Sequence, residues 1–155
     1  DYIQEKAELS PKKGLFAYAL VGRDITGKSV EDMVYEAQRK VILELADKES
    51  CVIVGRCADF ILKDKRNVLK IFVSSSMENK IKRATEFYHM DKENAEKEIA
   101  RINKLRSNHY EYYTERGWET PSNYDICVNS DSIGINNVVD LICSIVEKSK
   151  ELAIK

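Results

Sequence analysis

The sequence predicts a three-layer α/β/α domain built on a parallel sheet, because strand-like and helix-like segments alternate along it. Short apolar runs, rich in β-branched residues, recur at 51–54, 69–73 and 124–128. Such runs are typical of strands that are buried on both faces. Segments with helical periodicity separate and follow them. Repetition of strand and helix favours parallel strands, since each helix returns the chain to the same end of the sheet.

Polar residues predict where the helices begin. Ser29 to Asp32 form a capping-box pattern, and a long amphipathic helix is expected behind it to about Lys48. Its apolar face, which we expect in the core, comprises Val30, Met33, Val34, Ala37, Val41, Ile42 and Leu45. The remaining predicted helices cover about 2–9, 57–62, 77–88, 92–113 and 135–149, with caps at Ser74–Ser76 and Asp91 for the third and fourth.

Length and charge limit the classes of protein to which the chain can belong. A chain of 155 residues fits a single domain, here 1–155. The 25 basic and 26 acidic residues nearly cancel, which excludes a broadly basic nucleic-acid binder. The longest apolar run, Leu15–Val21, is too short to span a membrane, and the first residues lack the pattern of a signal peptide. We therefore expect a cytoplasmic protein with no membrane or nucleic-acid partner; the sequence leaves its oligomeric state open.

Neither the cysteines nor the histidines form a catalytic or metal-binding pattern. Cys51, Cys57, Cys127 and Cys143 lack the spacing of metal ligands. We expect them to be small buried apolar residues in a reducing compartment. His89 and His109 lie in polar helical segments and are interpreted as surface or helix-filling residues. No metal site is expected.

The candidate site is the edge at which the predicted strands end, because ligands of open parallel sheets bind beyond the carboxyl ends of the strands. Small or polar residues follow each apolar run, at 55–59, 74–76 and 129–132. Gly55 would allow a tight turn or the close approach of a ligand. Arg56 could hold a phosphate or carboxylate through two parallel hydrogen bonds. The alternative is a structural arginine that caps a helix or pairs with a surface acid.

Two further segments have both a functional and a structural interpretation. The segment 99–110 carries Arg101, Lys104 and Arg106 without an acidic residue, which suits a lid that closes over a nucleotide or, alternatively, a solvated helix face. Gly22–Ser29 matches GxxxxGK[ST], the phosphate-loop pattern. Its alternative is a surface turn that leads into a helix cap at Ser29.

The segment Cys51–Leu62 resembles the corresponding part of the cytidylate kinase-like family of nucleoside monophosphate kinases. The arginine-bearing segment 101–106 and the tyrosine-rich segment Tyr110–Trp118 are similar to that family in the same order. The resemblance implies a kinase that transfers the γ-phosphoryl group of ATP, with Mg²⁺, to a CMP-like acceptor. It also implies an acceptor-side region at about 11–48, a lid at about 91–118, and a strand and phosphate loop that precede Asp1.

The resemblance also implies roles for individual residues. Gly55, Arg56 and Asp59 would bind the acceptor, with Arg56 on its phosphate and Asp59 on its nucleoside. Cys57 stands where classical cytidylate kinases have an aspartate. Three arginines would hold the transferring phosphoryl group, namely Arg83, Arg101 and Arg106. Three residues after the last strand would border the adenine of ATP, namely Asn129, Ser130 and Ser132. The alternative from another class is a non-catalytic nucleotide-binding or protein-interaction module derived from such a kinase.

Overall fold

The structure of the protein is a computed structural model that describes residues 29–153, with side chains described as far as Ser149. The predicted helix at 2–9 and the GxxxxGK[ST] pattern before Ser29 lie outside the described residues. The elements of the described chain, in order, are α1 (Val30–Lys48), α2 (Ala58–Ile61), β1 (Ile71–Ser74), α3 (Met77–Tyr88), α4 (Lys92–Thr114), a 3₁₀ helix (Pro121–Asn123), β2 (Ile126–Asn129), α5 (Ser130–Ile133) and α6 (Ile135–Ala153).

Local capping chemistry determines the helix starts, as predicted. The Ser29 hydroxyl accepts a hydrogen bond from the Asp32 amide at 3.1 Å, and the Asp32 carboxylate accepts one from the Ser29 amide at 3.2 Å. This reciprocal pair is the predicted capping box of α1. The Ser76 hydroxyl caps α3 by accepting from the Asn79 amide at 3.2 Å. At the start of α4 the Asp91 carboxylate accepts from the Glu93 amide at 3.4 Å and from the Asn94 side chain at 2.9 Å.

The strands β1 and β2 pair in parallel, which confirms the predicted direction for these two segments. Ile71 lies opposite Ile126, and Ser74 lies opposite Asn129. The Ser74 hydroxyl donates to the Val128 carbonyl at 3.1 Å across the pair. The carboxyl ends of the two strands therefore meet at one edge, as the sequence predicted.

The predicted strand at Cys51–Val54 is wrong for the described structure, in which this segment has no strand assignment. Val52 and Val54 are 94% and 87% exposed. A β-branched apolar run favours an extended backbone, but a strand also requires a hydrogen-bonded neighbour. No strand among the described residues pairs with this segment, so the described sheet has two strands where the sequence predicted three.

The buried faces of the helices differ from those predicted. In α1 the expected core residue Ile42 is buried, which confirms it, and Tyr35 is buried as well. The expected core residues Val30, Met33, Val41 and Leu45 are instead 39–52% exposed. Periodicity identifies an apolar side, but which residues become buried depends on where α2 and α4 pack. The burial expected for Cys51, Cys127 and Cys143 is also wrong, since of the four free cysteines only Cys57 is buried.

The chain divides into two compact units. Among the described residues, the first comprises 29–68 together with Ala100–Asn123, and the second comprises Leu69–Ile99 together with 124–153. Within the first unit, one buried cluster contains Tyr35, Cys57 and Tyr110. A second cluster there contains Ile42, Ala58 and Leu62. In the described chain, no helix combines the length and apolar character needed to cross a membrane.

Candidate functional site

Residues 55–57 form a strained left-handed turn that presents Arg56. The φ angles of Gly55, Arg56 and Cys57 are 70°, 59° and 56°, and the Ala58 amide closes the turn on the Gly55 carbonyl at 3.1 Å. Left-handed backbone costs roughly 1–2 kcal/mol at each residue that carries a side chain. A side chain at position 55 would meet no atom within 4 Å, so that side of the turn is open. Strain of this kind persists where the surroundings hold it, and it clusters at functional sites.

Cys57 anchors this turn in the core. Its side chain is 3% exposed and lies in the cluster with Tyr35 and Tyr110. Burial, and then the nearby Asp59 carboxylate, raise the pKa of the Cys57 thiol to about 12, although Arg56 opposes them. The thiol is therefore protonated near neutral pH and is a packing group rather than a nucleophile.

Asp59 joins α2 to α4. The buried Tyr110 hydroxyl donates a hydrogen bond to its Oδ2 at 2.6 Å, across 51 positions of sequence. The sequence indicated Asp59 as a nucleoside-binding residue, and the structure gives this carboxylate oxygen a partner within the protein. Asp59 therefore ties the helix that follows the turn to the tyrosine-rich end of α4.

A shallow depression between α1 and α4, which we call the tyrosine depression, lies in the same unit. It has a volume of about 530 Å³ and is lined by Asp32, Tyr35, Glu36, Tyr112 and Tyr113. The rings of Tyr35 and Tyr113 stack, with centroids 3.8 Å apart and an angle of 9° between their planes. The Tyr113 hydroxyl donates to Asp32 Oδ1 at 3.3 Å. Burial, with the Asp32 carboxylate, raises the pKa of Tyr113, so that this hydroxyl stays protonated.

His109 contacts this aromatic stack. Its ring meets Tyr113 edge-on at 4.9 Å and Tyr35 at 6.5 Å. Its Nε2 is buried and finds no hydrogen-bond partner among the described residues. Burial, and then the Arg56 guanidinium, lower the pKa of His109. The imidazole is therefore neutral near pH 7, and the positive charge at this place belongs to Arg56.

The predicted site residues fall into both units. Gly55, Arg56, Asp59, Arg101 and Arg106 belong to the first, and Arg101 and Arg106 are exposed on α4. Arg83, Asn129, Ser130 and Ser132 belong to the second.

Arg83 and the residues after β2 make local contacts in the second unit. The Arg83 guanidinium lies over the Phe87 ring at 5.3 Å. The Asn129 side chain accepts from the Asp131 amide at 2.9 Å, and the Ser130 hydroxyl donates to the Ser74 carbonyl at 3.0 Å. Ser132 is exposed.

The sequence did not identify Asp131 as the residue that connects the segments following β1 and β2. Its carboxylate accepts from the Ser76 amide at 2.6 Å and from the Ser75 hydroxyl at 2.7 Å. These hydrogen bonds hold the pKa of Asp131 well below its ordinary range. An aspartate after one strand and a serine run after its neighbour were the signal for this contact. The cluster links α5 to the start of α3.

Ser29 is the described residue of the GxxxxGK[ST] pattern, and it acts as a helix cap. Its hydroxyl donates a hydrogen bond to Asp32 Oδ2 at 2.8 Å and accepts one from the Asp32 amide. A helix cap at Ser29 is the structural alternative that the sequence offered for this pattern.

Comparison with known proteins gave a family and a structural relative. Residues 1–132 match the cytidylate kinase-like family. The chain is also similar to the crystal structure of an uncharacterized protein from Eubacterium ventriosum ATCC 27560, at 29% identity and a TM-score of 0.71. That likeness covers 76% of this chain and 74% of the other. No curated protein matches.

Proposed function

Because this chain belongs to the cytidylate kinase-like family, we propose that it transfers the γ-phosphoryl group of ATP to a nucleoside monophosphate, with CMP as the acceptor. The observation that carries the proposal is Arg56, presented by the strained turn 55–57. The neighbouring His109 is half-buried and neutral, so Arg56 supplies the positive charge that would attract an anionic ligand to this place.

In this proposal Arg56 binds the phosphate of the acceptor. A guanidinium can hold two phosphate oxygens at once, which orients the third oxygen for attack on ATP. Phosphoryl transfer depends mainly on positioning and on neutralising charge, and it needs no covalent intermediate on the protein. A turn anchored by the buried Cys57 suits this role, because an anchored arginine loses little freedom on binding.

The other arginines would neutralise charge on the transferring group. Arg101 and Arg106 are exposed on α4, where phosphates can reach them. Arg83 would exchange its contact with the Phe87 ring for a phosphate contact. We place the adenine of ATP against the backbone of Asn129, Ser130 and Ser132.

Magnesium has no protein-built site in the described part of the chain, where no three His, Cys, Asp or Glu side chains are grouped as metal ligands. Mg²⁺ commonly reaches kinases on the phosphates of ATP, with one or two carboxylates completing its coordination. The described residues therefore do not fit a resident metal, and no step is assigned to one.

A non-catalytic nucleotide-binding or interaction module is the second candidate. The hydroxyl of Ser29 favours it over a kinase whose phosphate loop is Gly22–Ser29, because in such a loop that hydroxyl would be a magnesium ligand. Here it is engaged with Asp32.

Release of ADP, measured with each nucleoside monophosphate in turn, separates the two candidates. We expect ADP release with ATP, Mg²⁺ and CMP. Binding of CMP without ADP release would favour the module.

The Arg56→Lys variant tests the residue that carries the proposal. Lysine keeps the charge but loses the two-pronged geometry, so CMP affinity in calorimetric titration should fall about tenfold or more. The melting temperature should hold, because the φ angle and the charge are retained. Arg66→Lys, at an exposed position, is the matched control. A lower melting temperature with unchanged CMP affinity would make Arg56 a structural residue and remove this support.

A further inference from the structure

We propose that the tyrosine depression binds the base of the acceptor nucleotide, and that Glu36 selects a base with an exocyclic amino group, cytosine over uracil. This inference rests on the proposed function, which places the acceptor phosphate at Arg56. Three features carry it: the carboxylate that faces the base, the ring on which the base stacks, and the connection to the turn 55–57.

Glu36 is the carboxylate of the depression that can accept a hydrogen bond from a ligand. Asp32, one helical turn earlier, already accepts from the Ser29 amide and from the Tyr113 hydroxyl. Glu36 is exposed, and no other residue of the described chain forms a hydrogen bond or ion pair with it. A carboxylate accepts from the N4 amino group of cytosine. Uracil presents an oxygen at the same position, which a carboxylate repels.

Tyr112 supplies a ring on which a base can stack. Its side chain lines the depression and the residue is 48% exposed. Its ring stands perpendicular to that of Tyr113, at 89° and 4.8 Å between centroids. The Tyr113 ring is held in place because it stacks on Tyr35 and because its hydroxyl donates a hydrogen bond to Asp32. Stacking tolerates any base, so in this site the ring contributes affinity and Glu36 contributes selectivity.

The depression and the turn 55–57 lie in the same compact unit and are connected through Tyr35 and His109. Tyr35 lines the depression and also lies in the buried cluster with Cys57. His109 touches Tyr35 and Tyr113 and is close enough to Arg56 for the guanidinium to lower its pKa. A volume of about 530 Å³ lies within the usual range of small-molecule sites. The turn that carries Arg56 and the proposed base site are therefore connected through one packed cluster.

Calorimetric titration of the full chain with CMP, UMP, cytidine and ribose 5-phosphate tests the inference. We expect CMP to bind roughly tenfold more tightly than UMP, from a hydrogen bond that only cytosine makes to the carboxylate. Glu36→Gln should bring the two affinities together, because an amide both donates and accepts. Glu44→Gln is the matched control, since Glu44 is exposed on the same helix and pairs with Lys40 outside the depression.

A second pair of variants separates the ring from its hydroxyl. Tyr112→Ala should weaken CMP and UMP alike by about tenfold, whereas Tyr112→Phe should retain both affinities. Ribose 5-phosphate, which lacks a base, should bind the Tyr112 and Glu36 variants as it binds the unmodified protein.

The four ligands distinguish failure of this inference from failure of the proposed function. If ribose 5-phosphate binds through Arg56 but CMP and UMP bind equally, the base site is overturned and the kinase proposal stands. If cytidine binds in a Glu36-dependent way and ribose 5-phosphate does not bind, the depression is supported as a base site and phosphate binding by Arg56 is overturned. If neither cytidine nor CMP binds, the inference is overturned.

Discussion

The neutral imidazole of His109 makes the protein sensitive to mild acid. Burial, reinforced by Arg56, lowers the pKa of His109 below its ordinary value of 6.5 in the folded state. As the pH falls through the ordinary value of 6.5, His109 takes up a proton in the unfolded chain but not in the folded chain. The stability associated with neutral His109 is therefore present above about pH 6.5 and is lost as the pH falls toward the lowered folded-state pKa.

We expect His109→Phe to reduce this acid sensitivity. The free energy of unfolding, measured by urea titration at about pH 7.5 and about pH 5.5, should fall less in the variant than in the unmodified protein. At the higher pH the variant should be no less stable, because it removes a buried nitrogen without a described partner. His89→Asn is the control: it retains His109, and asparagine tolerates the φ of 52° at position 89. Equal acid sensitivity in the His109 variant and the unmodified protein would show that another group titrates.

At the scale of the elements, the Asp131 carboxylate links the ends of β1 and β2 to the starts of α3 and α5. We expect Asp131→Asn to lower the free energy of unfolding at neutral pH, because an amide is a weaker acceptor for the Ser76 amide and the Ser75 hydroxyl. The depressed pKa of Asp131 means that this stabilisation is present above the ordinary value of 3.8 and is lost at more acid pH.

Urea titrations from neutral to strongly acid pH check this expectation. The difference between Asp131→Asn and the unmodified protein should shrink as the pH falls, while Asp140→Asn, exposed on α6, should differ little at any pH. A difference that does not depend on pH would assign the effect of Asp131→Asn to lost packing instead of lost charge.

Elements whose signals are local were predictable from the sequence, and those that depend on distant partners were not. The starts of α1, α3 and α4 follow from serine or aspartate side chains that accept from backbone amides two or three residues further along. The strand expected at 51–54 fails because pairing needs a neighbour that no local pattern specifies. For the same reason the tyrosine depression was missed: its Tyr113–Asp32 hydrogen bond joins residues 81 positions apart. The signal that singled out Arg56, an arginine after an apolar run, is local, and the role of this residue stays a prediction.

At the scale of the whole molecule, the exposed side chains of 51–54 bear on solubility. Val52 and Val54 point out, whereas Ile53 packs against the cluster of Ile42, Ala58 and Leu62. An apolar segment that no strand of the described residues pairs with is a possible template for association between chains. We expect the double change Val52→Lys and Val54→Lys to reduce light scattering on heating.

The free energy of unfolding decides whether that double change acts only on the surface. It should move by no more than about 0.5 kcal/mol per site, as is usual for exposed positions. Ile53→Lys is the control and should destabilise strongly, because it places a charge against an apolar cluster. If the double change destabilises as much as Ile53→Lys, the two valines are covered in solution.

The division into two units has a consequence for dissecting the protein into fragments. The path of the chain passes between the units at three places, after Val68, after Ile99 and after Asn123. The middle passage lies inside α4, a single helix of 23 residues. Neither unit is therefore one uninterrupted stretch of polypeptide, and a truncation that isolates one of them must sever that helix. The nucleotide binding that we propose for the Arg56 turn has to be tested on the undivided chain.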